Sequence, residues 1–278
     1  MNSAAHAVSD AGMPSFRGNV GNLMQHWVFC EILAAASQHA AHIDFVDAYA
    51  MAPLADERPK RDTTADLFDC VQAGLPGQES TYERAWLKLA PDTGTYPNSA
   101  TFLTSLWRGT YSMLLCEHDP ATFEALSRWA KSMASASIEI AERDWRDRFR
   151  MGLPSGEGLT LLSFDPNMYD RHGIPKVPKA WNLYRPDLRL IVQAINEVQG
   201  ELLIQFSTYS ANNGNSQRDV IESIAPAFAA GGLERLATVR ADGNMMSLIY
   251  GRGVGWGGEL RPLPDQFTRW LIGANRRC

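Results

Sequence analysis

The sequence predicts a doubly wound α/β domain, in which a mostly parallel sheet carries helices on both faces. Short apolar runs typical of buried strands alternate along the chain with stretches that have helical periodicity, and this alternation is the pattern of parallel βαβ units. Three of the runs end with an acidic residue or are followed directly by one. These residues are Asp47, Glu117 and Asp165. Because ligands of such sheets bind beyond the carboxyl ends of the strands, the same pattern predicts where a pocket lies.

Composition predicts one ordinary soluble domain. The chain has 278 residues, of which 45% are hydrophobic and 21% charged, and a formal net charge of −5. We interpret residues 1–15 as a disordered leader and residues 16–278 as the domain. This negative net charge argues against extended electrostatic binding of a nucleic-acid duplex. It is compatible with contact to a short or single-stranded nucleic acid. No apolar run is long enough to cross a membrane. Four cysteines without a C-x-x-C pair predict no metal site and a reduced, cytoplasmic protein.

The first half of the chain supplies two strands. Apolar residues recur at helical spacing from Val20 to Ala40, and Ile43–Asp47 is typical of a short strand. Residues 56–95 are polar and weakly helical with several prolines, which predicts a small helical insertion. A helix around Ala100–Arg108 then leads into a buried strand, Tyr111–Glu117.

The second half continues the alternation. Asp119 is a candidate N-cap with Pro120 at the first helical position. A strand at Ser137–Ala141, a helical turn at Asp144–Phe149 and a strongly apolar strand at Gly158–Phe164 follow. The remaining predictions are helices at Leu188–Val198 and Asp219–Ala230 and strands at Glu201–Ser207, Leu233–Arg240 and Met245–Gly251.

The three strand-end acids have two interpretations. Each one alone is explained by capping of the helix that follows. Together they favour a shared pocket, in which a carboxylate after the second strand, Glu117, accepts hydrogen bonds from ribose hydroxyls. Asp47, after the first strand, is then placed to orient an amino-acid group.

The segment Asp165-Pro166-Asn167-Met168-Tyr169 is the best local candidate for catalysis. A carboxylate and a backbone carbonyl in such a turn hold an exocyclic amine and draw its lone pair out of conjugation, so that the nitrogen attacks an electrophile. An aromatic neighbour, here Tyr169, then stacks on the base. The alternative is a plain Asp-Pro turn.

Other polar features remain ambiguous. His26 lies on the first helix, where a lone histidine is more often structural than catalytic. The polar loop 209–217 either covers a substrate or is only a loop. A basic run with Lys176, Lys179, Arg185 and Arg189 either contacts phosphate or is a solvated face.

These motifs, taken together from residue 16 to 252, resemble the large-subunit ribosomal RNA adenine-N6 methyltransferases of the RlmJ type. The family opens with a pattern like H-A-G-N-x-x-D-x-x-K-H, of which Gly18, Asn19 and His26 match, while Asn22 and Gln25 replace the charged residues. The family's later motifs D-T-H-A-G-A-G, Y-P-G-S-P, E-L-H-P, A-D-G-F and D-P-P-Y correspond to residues 47–53, 96–100, 117–120, 143–145 and 165–168, with Tyr169 one place late.

The resemblance implies a Rossmann-like methyltransferase sheet and S-adenosylmethionine as cofactor. It implies that this cofactor is surrounded by His26, Ser99, Glu117 and Asp144, together with Asp47 and Tyr49 of the first sheet motif. Asp165 would hold the target amine, with Pro166, Asn167 and Tyr169 beside it. Met51 and Pro53 replace glycines that elsewhere permit close approach of the backbone to the cofactor.

Three functions are compatible with these residues. The favoured one is methyl transfer from S-adenosylmethionine to an exocyclic amine of a base in nucleic acid, because Asp165-Pro166 and Glu117 are retained. The second is that of a relative that no longer uses S-adenosylmethionine and attaches another small group, such as an amino acid, to a base in DNA or RNA. The third is a non-catalytic interaction protein that kept the fold only.

Overall fold

The computed structural model describes residues 20–55, 80–89, 96–133, 137–142, 144–154, 156, 158–176, 178–209, 216–241 and 245–275. The predicted leader, the motif residues Gly18 and Asn19, residues 56–79 and 90–95 of the predicted insertion and the loop residues 210–215 lie outside these ranges.

A seven-stranded sheet confirms the predicted α/β class. Its strands are β1 His42–Asp47, β4 Thr110–Glu117, β5 Ser137–Glu142, β6 Leu159–Phe164, β9 Glu201–Tyr209, β10 Glu234–Ala241 and β11 Met245–Arg252. The strand order is β10-β11-β9-β6-β1-β4-β5, and all neighbouring pairs from β9 to β5 are parallel. Only β11 runs the other way, antiparallel to both β9 and β10.

Burial explains why the central strands were recognisable in the sequence. Every residue of β6 is buried, and so is every residue of β1 after His42, because helices cover both faces of a parallel sheet. Four shorter strands form two separate pairs, β2 Leu54–Ala55 with β3 Tyr96–Pro97 and β7 Met168–Asp170 with β8 Asn182–Tyr184.

The helices divide between two hydrophobic cores, one on each face. The helices are α1 Val20–Ala36, α2 Thr81–Leu89, α3 Ser99–Leu106, α4 Pro120–Ser132, α5 Trp145–Phe149, α6 Asp187–Asn196, α7 Gln217–Ala230 and α8 Leu263–Asn275, with a 3-10 turn at Gly257–Leu260. One face carries α1, α2, α3 and α8, which pack together, and the other face carries α5, α6 and α7. No helix within the described ranges is long and apolar enough to cross a membrane.

Local capping agrees with the sequence. Asp119 accepts a hydrogen bond from the Thr122 amide at 2.9 Å, and Pro120 opens α4. Helical structure within the predicted insertion occurs at α2, whose Tyr82 and Trp86 are fully buried. This helix contacts α1 and α3, so it belongs to the hydrophobic core on the α1 face of the sheet.

Candidate active site

Three adjacent strands bring their terminal acids to one edge of the sheet. β1 lies between β4 and β6, and Asp47 is in register with Leu115 and Ser163. Glu117 ends β4, and Asp165 directly follows β6. The side chains of Asp47 and Glu117 are buried, with residue exposures of only 4% and 3%, whereas Asp165 is partly exposed.

Burial makes these carboxyl groups unusually hard to ionise. It raises the pKa of Asp47 to about 7 and that of Glu117 to about 8, since a charge in a poorly solvated site is disfavoured. Burial, and then the neighbouring charge of Asp47, raises the pKa of Asp165 to about 8. Backbone amides compensate in part, because Tyr49 N–H donates to Asp47 at 3.0 Å and Asp119 N–H to Glu117 at 2.7 Å.

The carboxyl cluster, meaning Asp47, Glu117 and Asp165, has no cationic partner among the described side chains. No lysine or arginine of the described ranges forms an ion pair with any of the three. The imidazole of His118 lies 3.5 Å from Glu117, but burial lowers its pKa. An uncompensated cluster of this kind favours a ligand that carries positive charge. Within the same ranges no three His, Cys, Asp or Glu side chains are arranged to hold a metal ion.

The predicted amine-binding turn is held in place from the side of β8. The amide of Asn167 donates to the carbonyl oxygen of Trp181 at 2.9 Å, and Pro166 is buried. This bond ties the turn after Asp165 to the segment that precedes β8.

Tyr169 does not lie with Asp165. It is fully buried, its hydroxyl is 2.5 Å from Ser223 Oγ on α7, and its ring meets Phe206 edge-on at 6.0 Å. Alternation along β7 directs the Tyr169 side chain into the core and leaves Met168 and Asp170 partly exposed. Tyr169 therefore packs in the hydrophobic core, where its ring is not placed to stack on a base held at Asp165.

A narrow cleft joins three of the predicted cofactor residues. Glu117, Tyr49 and Asp144 line it, and its volume is about 10 Å³, close to the space of one water molecule. One wall is closed by the indole N–H of Trp145, which donates to Tyr49 Oη at 2.9 Å. The remaining lining residues are Ala48, Cys116, His118 and Ala180.

Asp144 is already engaged within α5. It caps the helix by accepting from the Arg146 amide at 2.9 Å, and both of its oxygens contact the Arg146 guanidinium. The same guanidinium also holds Asp187 through two bonds, of 2.9 and 2.7 Å. Asp144 thus has a structural role whatever else it binds.

His26 and Ser99 lie on the α1 side and are absent from the lining of the cleft. His26 Nδ1 is 2.6 Å from the hydroxyl of Tyr96, which donates to the carbonyl of Asn22 at 3.0 Å. Burial lowers the pKa of His26 to about 3, so the ring is neutral. Ser99 is buried at the first position of α3.

Two features were missed in the sequence. Trp181, beside the Asp165 turn, places its ring centroid 5.7 Å from that of His118; its only sequence signal is a tryptophan inside a polar, basic loop. The second is a buried polar layer beneath α1, where Gln205 Nε2 donates to the carbonyl of Gln25 at 2.7 Å and Ser207 contacts Ser247 at 3.0 Å. The sequence shows these residues only as single polar positions in apolar strands, and it does not indicate that they contact one another.

Comparison with solved structures agrees with this architecture. No protein-family model matches the chain, and no curated protein matches its sequence. A protein from Legionella pneumophila of the family DUF519 superposes with a TM-score of 0.62 at 14% identity, over 91% of this chain and 93% of that one. A putative methyltransferase from Escherichia coli gives 0.41 at 12% identity, over 83% and 85%.

Aeropyrum pernix fibrillarin, solved with natively bound S-adenosyl-L-methionine, gives a TM-score of 0.41 at 10% identity, over 81% of this chain and 76% of that one. At 14% identity the likeness to the Legionella protein concerns the fold alone, and the two superpositions with TM-scores of 0.41 support no conclusion. The seven-stranded sheet with one reversed strand and helices on both faces is the predicted Rossmann-like α/β fold. The narrower resemblance to the RlmJ type stays a prediction.

Proposed function

We propose that this chain transfers a methyl group from S-adenosylmethionine to an exocyclic amine of a nucleic-acid base. The observation that carries the proposal is the carboxyl cluster at adjacent strand ends, in which Asp47 and Glu117 are buried and Asp165 is partly exposed. None of the three forms an ion pair with a lysine or arginine of the described ranges. S-adenosylmethionine carries a sulfonium and an ammonium group, so its charge is the kind that such a cluster stabilises.

The donor set fits this cofactor. Glu117 would accept from the ribose hydroxyls, Asp47 would face the ammonium group, and Trp145 with Asp144 would border the adenine. When bound, the cofactor supplies an electrophilic methyl group. The volume of the cleft, about 10 Å³, is far below the several hundred Å³ of ordinary ligand pockets, so the cleft between Tyr49 and Trp145 would have to widen to hold adenosine.

Asp165 and Pro166 act on the acceptor. The Asp165 carboxylate and the Pro166 carbonyl oxygen each accept one N–H of the amine, which turns the nitrogen lone pair out of the ring's conjugation. An Asp165 pKa of about 8 also suits the carboxylate to take the proton that the amine loses, because a base works best when its pKa lies near the working pH.

A second candidate is transfer of another small group to the base without this cofactor. It is favoured by the narrow cleft and by Met51 and Pro53, which stand where the RlmJ-type motif has glycine. The acceptor role of Asp165 and Pro166 is the same for both candidates.

Calorimetric titration with S-adenosylmethionine and with its demethylated product tests the proposal. We expect micromolar binding of both by the parent protein, with binding about 10-fold weaker in Glu117→Gln, since one charge-assisted hydrogen bond is lost. Glu142→Gln is the matched control, because this acid ends the neighbouring strand β5 but is exposed.

Absence of binding heat for both compounds, confirmed by unchanged melting temperatures, would refute the cofactor assignment. Mass spectrometry of an oligonucleotide incubated with the protein and a cellular metabolite extract then tests the second candidate. A mass increase other than that of a methyl group would support it.

A further inference from the structure

We propose that Trp181 and Lys179 form a stacking and phosphate contact for single-stranded nucleic acid, which presents an unstacked base to the turn at Asp165. The inference rests on the proposed function, because it supplies the aromatic surface that Tyr169 does not. It also extends that function by specifying substrate strandedness.

The backbone fixes Trp181 next to the acceptor turn. Its carbonyl oxygen accepts from Asn167 N–H at 2.9 Å, two residues after Asp165. On its other side the amide of Asn182 donates to the carbonyl of Lys179 at 3.1 Å, so Trp181 sits within a tight turn. The strand β8 begins at the next residue and pairs with β7. Trp181 is therefore held by main-chain bonds at both ends of a short segment.

Packing does not explain the Trp181 side chain. Of the eight tryptophans in the chain, six are buried. Trp129 is partly exposed but packs against the core that contains α1, whereas Trp181 is partly exposed and belongs to neither hydrophobic core of the described residues. Its ring lies beside His118, with centroids 5.7 Å apart and planes inclined at 34°. A large aromatic that is fixed, accessible and outside the core is the kind of surface on which bases stack.

Charge around Trp181 suits a polyanion. Lys179 Nζ lies 5.8 Å from the centroid of the indole ring. Lys176, Arg185 and Arg189 are exposed on the same segment, although the whole chain has a net charge of −5. The carboxyl cluster would repel phosphate, so the arrangement separates two tasks. Cationic side chains contact the backbone at the rim, and the base alone reaches the acidic pocket.

A second His–Trp pair in the same chain supplies the matched control. His39 and Trp256 stack with centroids 5.3 Å apart and planes 5° apart. Trp256 is 7% exposed, belongs to a hydrophobic core and donates its indole N–H to Glu201 at 3.3 Å. This pair is part of the packing, so changing it should not alter nucleic-acid binding.

The test is fluorescence anisotropy with a labelled, mixed-sequence single-stranded DNA and the equivalent RNA, at low and physiological salt. We expect Trp181→Ala to weaken binding about 5- to 140-fold, which corresponds to the loss of one base stacked on an aromatic ring. Trp181→Phe should stay within about 3-fold of the parent because a ring remains. Lys179→Gln should lower the salt slope by about one phosphate contact, and Trp256→Phe should bind like the parent.

Parental affinity in Trp181→Ala, or no binding of either strand by the parent at low salt, would overturn the inference. Which probe binds more tightly decides between DNA and RNA. Failure of the proposed function is a separate outcome. If Asp165→Asn retains group transfer, or if S-adenosylmethionine does not bind, the loss of oligonucleotide affinity in Trp181→Ala would still support the stacking contact.

Discussion

Replacing Asp47 by asparagine should make the protein more stable at alkaline pH and should flatten the dependence of its stability on pH. The amide oxygen of asparagine can still accept the hydrogen bond from the Tyr49 amide, which is 3.0 Å long in the parent. The substitution therefore removes the charge and keeps the local turn. It also removes the carboxylate whose charge raises the pKa of both Glu117 and Asp165.

The magnitude follows from the pKa of Asp47. A rise from 3.8 to about 7 on folding corresponds to an upper limit of about 4 kcal/mol when the group is fully ionised. The folded state holds the proton more tightly, so stability is highest below pH 3.8 and falls as the pH rises towards the folded-state pKa. Between about pH 5 and about pH 8 the parent should lose about 3 kcal/mol through this group.

Urea unfolding across this pH range measures the effect. Asp47→Asn should lose about 3 kcal/mol less than the parent between the two ends of the range, and Glu142→Gln, at the exposed strand end, should behave like the parent. If Asp47→Asn and the parent have parallel pH profiles, Asp47 is not an uncompensated buried carboxyl group, and the argument for a cation-binding pocket fails with it.

Three further predictions concern the packing position of Tyr169, the ion pair of Arg146 and the pH dependence of cofactor binding. Tyr169→Phe removes the hydroxyl contact with Ser223 and should cost about 1 kcal/mol in urea unfolding without lowering group transfer; a large loss of transfer at unchanged stability would return Tyr169 to the catalytic set. Arg146→Ala should cost about 3–5 kcal/mol, because Asp187, whose side chain is 7% exposed, would keep a buried charge without its partner; a loss as small as that of the exposed Arg150→Ala would contradict this. Binding of S-adenosylmethionine, followed by calorimetry, should tighten from about pH 6 to about pH 8 as the carboxyl groups ionise and release protons; affinity that is flat or falls with pH would show that the cluster does not face the ligand's charge.

Much of the fold is encoded locally and was predicted from the sequence. Strands buried on both faces, such as β6, appear in the sequence as continuous apolar runs. The Asp119-Pro120 pair indicates where α4 begins. The reversed direction of β11, between β9 and β10, was not predicted, because strand order depends on long-range pairing that periodicity does not record.

The candidate site was predictable in part, for the same reason. Adjacency of parallel strands brings Asp47, Glu117 and Asp165 to one edge. The position of Tyr169 depends on the face of a three-residue strand, which is too short to show a period. The contact of His26 with Tyr96 spans 70 residues of sequence, and that of Trp181 with Asn167 is made by backbone atoms, so side-chain identity gave no sign of either.

The proposal that Asp165 holds an exocyclic amine for transfer can be tested by its product. Its most direct test is nucleoside mass spectrometry of single-stranded DNA and RNA after incubation with S-adenosylmethionine and either the parent or Asp165→Asn, with the folding of both proteins checked by melting. We predict a methylated exocyclic amine with the parent and loss of that product by at least about 100-fold with Asp165→Asn, the order of effect of removing a group that acts in the transition state. Equal product from both proteins, or a modification at another atom of the base, would contradict the account.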